Sequence, residues 1–128
     1  MERTEINIPG LQHKKSNNFL LIAGPCVVES KDIVFETADH LKKMSDKYKI
    51  PFIFKSSYRK ANRSRLDSFS GIGDIKALEI LSLVREHFSV PVITDIHSPE
   101  EAITAARYTD VLQIPAFLCR QTDLLVAA

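Results

Sequence analysis

Four short apolar runs punctuate the chain, at residues 19–23 (FLLIA), 50–54 (IPFIF), 90–94 (VPVIT) and 111–114 (VLQI). Runs of this length suit strands, and the continuous run at 19–23 reads as a strand buried on both faces. Between them the period changes. From Ser30 to Tyr48 the positions Val34, Ala38, Leu41, Ser45 and Tyr48 return every three or four residues, which predicts a helix capped by Ser30. Leu78, Leu81, Val84 and Phe88 predict a second helix, capped by Asp74 after a Gly71-Ile72-Gly73 turn. Ser98-Pro99-Glu100-Glu101 supplies an N-cap serine, a first-turn proline and an acid at the third position, so a short alanine-rich helix follows. Gln121 to Ala128 reads as the first turns of another helix, with Thr122 as its N-cap and no closing signal. Ile6 and Ile8 alternate in a short strand before Pro9-Gly10, within a polar extension over residues 1–18.

Strands alternating with helices make an α/β chain with a parallel sheet. Two closures fit that pattern, a doubly wound open sheet and half of an eight-stranded barrel. Polar side chains follow the end of every strand: Cys26 and Glu29, Lys55 and Ser57, Asp95 and His97, Gln113 and Arg120. Ligands bind at that edge in both architectures. Contributions from all four strands, with no glycine-rich fingerprint after the first, favour the barrel. A complete barrel needs roughly 250 residues. The expectation is therefore one domain, residues 1–128, with β/α units one to four over 19–128 as the N-terminal half of a (β/α)8 TIM barrel.

Composition narrows the class. With 17 basic against 16 acidic side chains and a net charge of +1, nothing favours nucleic acid, which calls for a basic face. No stretch approaches the ~20 apolar residues of a membrane span. MERTEINIPG has no apolar signal core, so a cytoplasmic location is expected, and the two cysteines, Cys26 and Cys119, are expected to stay free thiols. Cys119 is read as a packing residue. His13 and His40 are read as solvated, and His87 as a favourable charge at a helix end.

A balanced chain makes its local imbalance informative. The second apolar run delivers Lys55, Ser56 and Ser57, then Arg59, Lys60, Asn62, Arg63, Ser64 and Arg65. A buried strand ending in five cations within a few residues aims donors at an anion, because guanidinium and ammonium groups both suit phosphate and carboxylate.

The segments AGPCVVES (23–30), FKSSYRKANRSR (54–65), TDIH (94–97) and QIPAFLCRQTDLL (113–125) together resemble the 3-deoxy-D-manno-octulosonate 8-phosphate synthases. AGPC with a following Glu-Ser is shared with the related 3-deoxy-D-arabino-heptulosonate 7-phosphate synthases, whereas KANRS with PAFLCRQTD points to the octulosonate branch. The resemblance implies a homotetrameric barrel transferase of the lipopolysaccharide (Kdo) pathway. Such an enzyme condenses phosphoenolpyruvate with D-arabinose 5-phosphate and releases phosphate. Two phosphates and a carboxylate in one pocket require several fixed cations.

Carried over residue by residue, Lys60 matches the lysine that holds phosphoenolpyruvate, with Lys55 beneath it and Ser57 and Gln113 as hydrogen-bonding partners. Asn62, Arg63 and Ser64 match the contacts to the arabinose hydroxyls and phosphate. Asp95 matches an acidic position close to the substrates, so that Lys60, Asn62 and Asp95 are the expected catalytic set. Arg120 resembles the arginine that reaches the sugar phosphate of a neighbouring subunit. Cys26 matches the cysteine of the metal-dependent class, which implies a divalent metal (iron, zinc, cobalt or manganese) completed by His, Glu and Asp ligands beyond residue 128. His97 matches no ligand and is read as a strand-end polar residue near the site. Tyr58-Arg59 and Arg65 depart from the commonest members. Two other readings stay open: the heptulosonate synthase, using erythrose 4-phosphate, and a non-catalytic phosphate-binding module. The 128 residues alone are expected to be inactive and prone to aggregate.

Overall fold

The computed structural model describes residues 7–60 and 71–128. Among them, four strands alternate with helices: β1 Leu21–Ala23, α1 Lys31–Tyr48, β2 Phe52–Lys55, α2 Asp74–Phe88, β3 Val92–Asp95, α3 Pro99–Ala105, β4 Val111–Gln113 and α4 Thr122–Ala127, with one 3₁₀ turn at Ala116–Leu118. All pairings are parallel and the strands lie in chain order β1-β2-β3-β4. A doubly wound sheet reverses its order at a switch point. Sequential addition without reversal is the winding of a (β/α) barrel, and the described residues form half of one.

Alternation along the strands divides the side chains between two faces. Phe52, Phe54 and Val92 join Val34, Ala38, Leu78, Leu81 and Val84 in one core between sheet and helices. Ile53 and Lys55 alternate with the core pair on β2. The expectation of a β1 buried on both faces is not met, since Ile22 is 48% exposed and Phe19 and Leu20 before the strand are exposed too. The cause is its place in the order: β1 has a neighbour on one side only.

Helix starts match the sequence reading in place more than in chemistry. Ser30 caps α1, its hydroxyl accepting the Ile33 N–H at 3.3 Å, and Val34, Ala38 and Ser45 are buried while Tyr48 is exposed. Gly73, not Asp74, is the N-cap of α2, and Asp74 pairs instead with Arg59 at 3.5 Å. Gln121, not Thr122, stands at the N-cap of α4. Ser98 is the N-cap of α3 with Pro99 after it, but the Ser98 hydroxyl does not cap the helix. Glu101 reaches back one residue further than a capping box requires and accepts the His97 N–H at 2.8 Å.

The N-terminal segment docks on α1. Asn18 donates to the Tyr48 and Lys49 carbonyls, both at 3.0 Å, where Lys49 closes the helix in the left-handed conformation. His13 is not solvated as expected: it lies 2.9 Å from Asp46, which also takes Lys42 at 2.5 Å. Asp46 is held below its ordinary range, chiefly by the Lys42 hydrogen bond and then by that of His13. Ile8 is in no strand, and Ile6 lies outside the described residues. His40 and His87 are exposed; the His87 ring also stands 5.5 Å from that of Phe35. Both cysteines are free and exposed, so neither Cys26 nor Cys119 packs as a small hydrophobe.

Candidate functional site

The carboxyl ends of the strands enclose a cleft of about 280 Å³, lined by Cys26, Lys55, Ser57, Arg59, Lys60, Asp95, His97 and Gln113, together with Pro115, Ala116 and Phe117. Backbone pairing continues past the strands and sets its level. Ser57 N donates to the Cys26 carbonyl at 3.2 Å and Val28 N to the Ser57 carbonyl at 2.9 Å. On the other side Asp95 pairs with Gln113, whose carbonyl accepts Ile96 N at 3.0 Å. Val27 is thus the register partner of Ser57, with Cys26 one residue before it, and Cys26, Ser57, Asp95 and Gln113 gather at the ends of four successive strands.

Gly24 permits the closeness of the first two. A Cβ there would lie 1.8 Å from the Lys55 carbonyl oxygen, far inside any allowed contact. Glycine at this turn lets β1 and β2 converge just before Cys26 and Ser57.

A chain of polar contacts crosses the cleft floor. Lys55 Nζ donates to Ser57 Oγ at 3.1 Å, and Ser57 donates to Asp95, whose Oδ1 is 4.0 Å from Lys55 Nζ. Asp95 Oδ2 meets His97 Nε2 at 2.9 Å, and His97 Nδ1 meets Glu101 Oε2 at 3.1 Å. Glu101 also accepts the Tyr58 hydroxyl and the Arg59 guanidinium. An imidazole between two carboxylates has an acceptor for both N–H groups, so its protonated form is favoured.

The charge states follow. Burial pushes the Asp95 carboxyl up, but the hydrogen bonds from His97 and Ser57 and the Lys55 charge outweigh it, leaving the group below its ordinary range. His97 is raised, first by its hydrogen bond to Asp95, against the opposing effect of burial. Glu101 is lowered: burial is outweighed by Tyr58, the His97 N–H and Arg59. Burial, with the neighbouring Glu101 carboxylate, raises the Tyr58 hydroxyl and keeps it protonated. The cleft thus presents Lys55, Arg59 and Lys60 around one ionised, braced carboxylate. That arrangement can hold an anion while leaving Asp95 fixed beside it.

Of the residues singled out from sequence, Cys26, Lys55, Ser57, Lys60, Asp95 and Gln113 come together in this cleft. Arg120 is exposed beyond the 3₁₀ turn and does not line it. Asn62, Arg63 and Ser64 lie outside the described residues. Among the described residues no three His, Cys, Asp or Glu side chains form a metal cluster, so this part of the chain offers Cys26 as a single donor beside the cleft. Sequence reasoning missed Glu101 as a member of the network, because its helix-capping role explained it. The i, i+4 spacing from His97 was the available signal.

The sequence profile described as "DAHP synthetase I family" matches residues 4–128. The chain is 54% identical over 110 residues to the 2-dehydro-3-deoxyphosphooctonate aldolase of Rickettsia prowazekii (strain Madrid E), covering 86% of this chain and 40% of that protein. It is 50% identical over 123 residues to the protein of the same name from Brucella canis, covering 96% and 44%. The corresponding figure is 53% over 109 residues for that of Campylobacter jejuni subsp. jejuni serotype O:6, covering 85% and 40%. The chain thus spans about two-fifths of the length of these relatives.

Proposed function

The chain belongs to the DAHP synthetase I family, and from that premise we propose that it serves the condensation of phosphoenolpyruvate with D-arabinose 5-phosphate. The products are 3-deoxy-D-manno-octulosonate 8-phosphate and inorganic phosphate, on the route to lipopolysaccharide. The observation that carries this reading is the pairing of Lys55 and Lys60 with an ionised Asp95 in one cleft at the strand ends. The names of the relatives favour the octulosonate reaction over the heptulosonate one.

In the reaction a bond forms between the methylene carbon of phosphoenolpyruvate and the aldehyde carbon of the sugar. Water adds at the neighbouring enol carbon, and the C–O bond to phosphate breaks. Lys60 and Lys55 hold the phosphate and carboxylate of phosphoenolpyruvate, with Ser57 and Gln113 fixing their orientation. Asn62, Arg63 and Ser64 take the sugar hydroxyls and phosphate. Asp95, kept ionised and immobile by Ser57 and His97, fixes the polar groups around the reacting carbons. Positioning two anions for a single bond-forming approach is most of what such a site must do.

A divalent metal fits as a partner of the Cys26 thiol, which is exposed at the cleft and free of any disulfide. Its remaining ligands would be His, Glu and Asp from beyond residue 128. Iron, zinc, cobalt and manganese all accept such a donor set, and the ion would supply Lewis acidity beside the cleft. The protein works in the cytoplasm as a homotetramer, with Arg120 reaching the sugar phosphate in a neighbouring site. No helix among the described residues is long and apolar enough to cross a membrane.

Phosphate release by the natural gene product tests the reading, with phosphoenolpyruvate plus either arabinose 5-phosphate or erythrose 4-phosphate, with and without chelator. Turnover confined to arabinose 5-phosphate and lost with chelator is expected. Preference for erythrose 4-phosphate assigns the heptulosonate reaction, and silence with both indicates a binding module.

A further inference from the structure

Glu101 in the first turn of α3 is the most heavily engaged carboxylate around the cleft. It accepts the His97 backbone N–H at 2.8 Å, stands 3.1 Å from His97 Nδ1, and takes the Tyr58 hydroxyl and the Arg59 guanidinium. A helix-capping acid needs only the backbone donor. The other three partners lead to two separate residues of the cleft lining, Asp95 and Lys60. Through His97 the carboxylate reaches Asp95, whose Oδ2 is 2.9 Å from Nε2. Through Tyr58 and Arg59 it holds the backbone immediately before Lys60. Tyr58 is 2% exposed, so that anchor is buried in the core, and Arg59 is tied a second time, to Asp74 at 3.5 Å.

We propose that Glu101 is a positioning residue: one carboxylate outside the cleft sets the separation of Asp95 and Lys60 inside it. The proposal rests on the reaction assigned above for its kinetic consequence, but not for the linkage itself. Three connected hydrogen-bonded groups with few rotatable bonds transmit a shift of Glu101 to Asp95, and the covalent chain from Arg59 transmits it to Lys60. Among the described residues, the groups facing His97 are Asp95 at Nε2, Glu101 at Nδ1 and the Tyr58 ring at 6.1 Å, with Lys55 paired to Asp95 and Arg59 to Glu101. Removing the Glu101 charge therefore leaves His97 with one carboxylate in place of two and, among the described residues, leaves Arg59 with Asp74.

The test uses the natural gene product and Glu101→Gln, which keeps shape and loses charge. Glu101→Asp, which keeps charge and shortens reach, replaces it if the amide variant does not fold. Nitrogen-15 NMR of the imidazoles, with His97 assigned by its absence in His97→Gln, reads the linkage without any turnover. The His97 nitrogens are expected to lose their shared proton at a lower pH in Glu101→Gln than in the parent, because one of the two carboxylates that favour the protonated ring is gone. Calorimetric binding of phosphoenolpyruvate and steady-state kinetics read the positioning. Binding is expected to weaken and kcat to fall, each by about tenfold or more, as misplacement of groups in a binding site commonly causes. An unchanged His97 signature in Glu101→Gln overturns the link to Asp95. A changed signature with parental binding and kcat overturns the positioning role. If the parent turns over neither aldehyde, the assigned reaction fails while the NMR and binding arms still decide this inference.

Discussion

Ser57 and Asp95, thirty-eight positions apart in the chain, share a hydrogen bond across the ends of β2 and β3. Ser57 is 7% exposed and its oxygen also accepts from Lys55, so it relays between a cation and an anion that are themselves 4.0 Å apart. Ser57→Ala removes a buried hydrogen bond to an ionised group, a change worth about 1.5–3 kcal/mol. The expected result is a loss of that size in urea unfolding. An upward shift of the Asp95 carboxyl, read by carbon-13 NMR, should accompany it, because one of the bonds lowering it is gone. A variant as stable as the parent with Asp95 unmoved would show that the bond contributes nothing.

The network also sets a pH window. Asp95 and Glu101 lie below their ordinary values of 3.8 and 4.5, so their stabilising contribution is present above those values and lost as pH falls through the lower folded ones. His97 lies above its ordinary 6.5, so its contribution is full below 6.5 and lost as pH rises through its raised folded value. Stability from these groups is therefore greatest between about 4.5 and 6.5 and declines on the alkaline side. His97→Gln should flatten that alkaline decline in chemical unfolding measured from pH 6 to 9. An equal decline in parent and variant would assign the effect elsewhere.

The winding of the sheet and most of the cleft were legible in the chain itself. Strand-length apolar runs separated by three-and-four periodicity force parallel β/α units, and polar residues after each run mark the ligand edge. That logic placed Cys26, Lys55, Ser57, Asp95 and Gln113 together before any coordinates. It failed where a contact depends on side-chain reach across elements. Asp74 reads as a cap by its position before an apolar helix, yet its carboxylate is drawn to Arg59. His13 reads as solvated in a polar segment, yet that segment folds back onto Asp46. Glu101 reads as part of a capping box, yet Tyr58 and Arg59, forty-odd positions earlier, compete for it. Burial on both faces of β1 was inferred from composition, which carries no information about which strands lie at an edge.

Gly24 has a steric reason that backbone torsion does not supply. The Lys55 carbonyl oxygen occupies the place of its missing Cβ, 1.8 Å away, and it belongs to strand backbone that cannot swing aside. Gly24→Ala must push β1 from β2 just before the bridge between Val27 and Ser57. The expected loss is at least about 2 kcal/mol, in the range of overpacked interior sites. Urea unfolding checks the stability, and binding of phosphoenolpyruvate should weaken alongside it. Parental stability in Gly24→Ala would mean that the two strand ends part without cost.

Cys26 offers the opposite combination, a side chain whose loss should spare the fold. Its thiol is exposed and free of any disulfide, its backbone carbonyl rather than its sulfur holds Ser57 N, and it stands outside the core cluster that takes in Val28. Cys26→Ala should therefore leave unfolding within about 0.5 kcal/mol of the parent when both are measured metal-free in chelator, as for surface substitutions generally. If the thiol is a metal ligand, the same variant of the natural gene product should lose bound divalent metal, measured by elemental analysis, together with all metal-dependent turnover. Loss of one ligand from a four-donor site removes both affinity and the geometry that the remaining donors enforce. Unchanged metal content and rate in a variant of parental stability would remove Cys26 from the site. Lost metal with lost turnover, in a protein that unfolds like the metal-free parent, would separate the chemistry of this strand end from the packing that supports it.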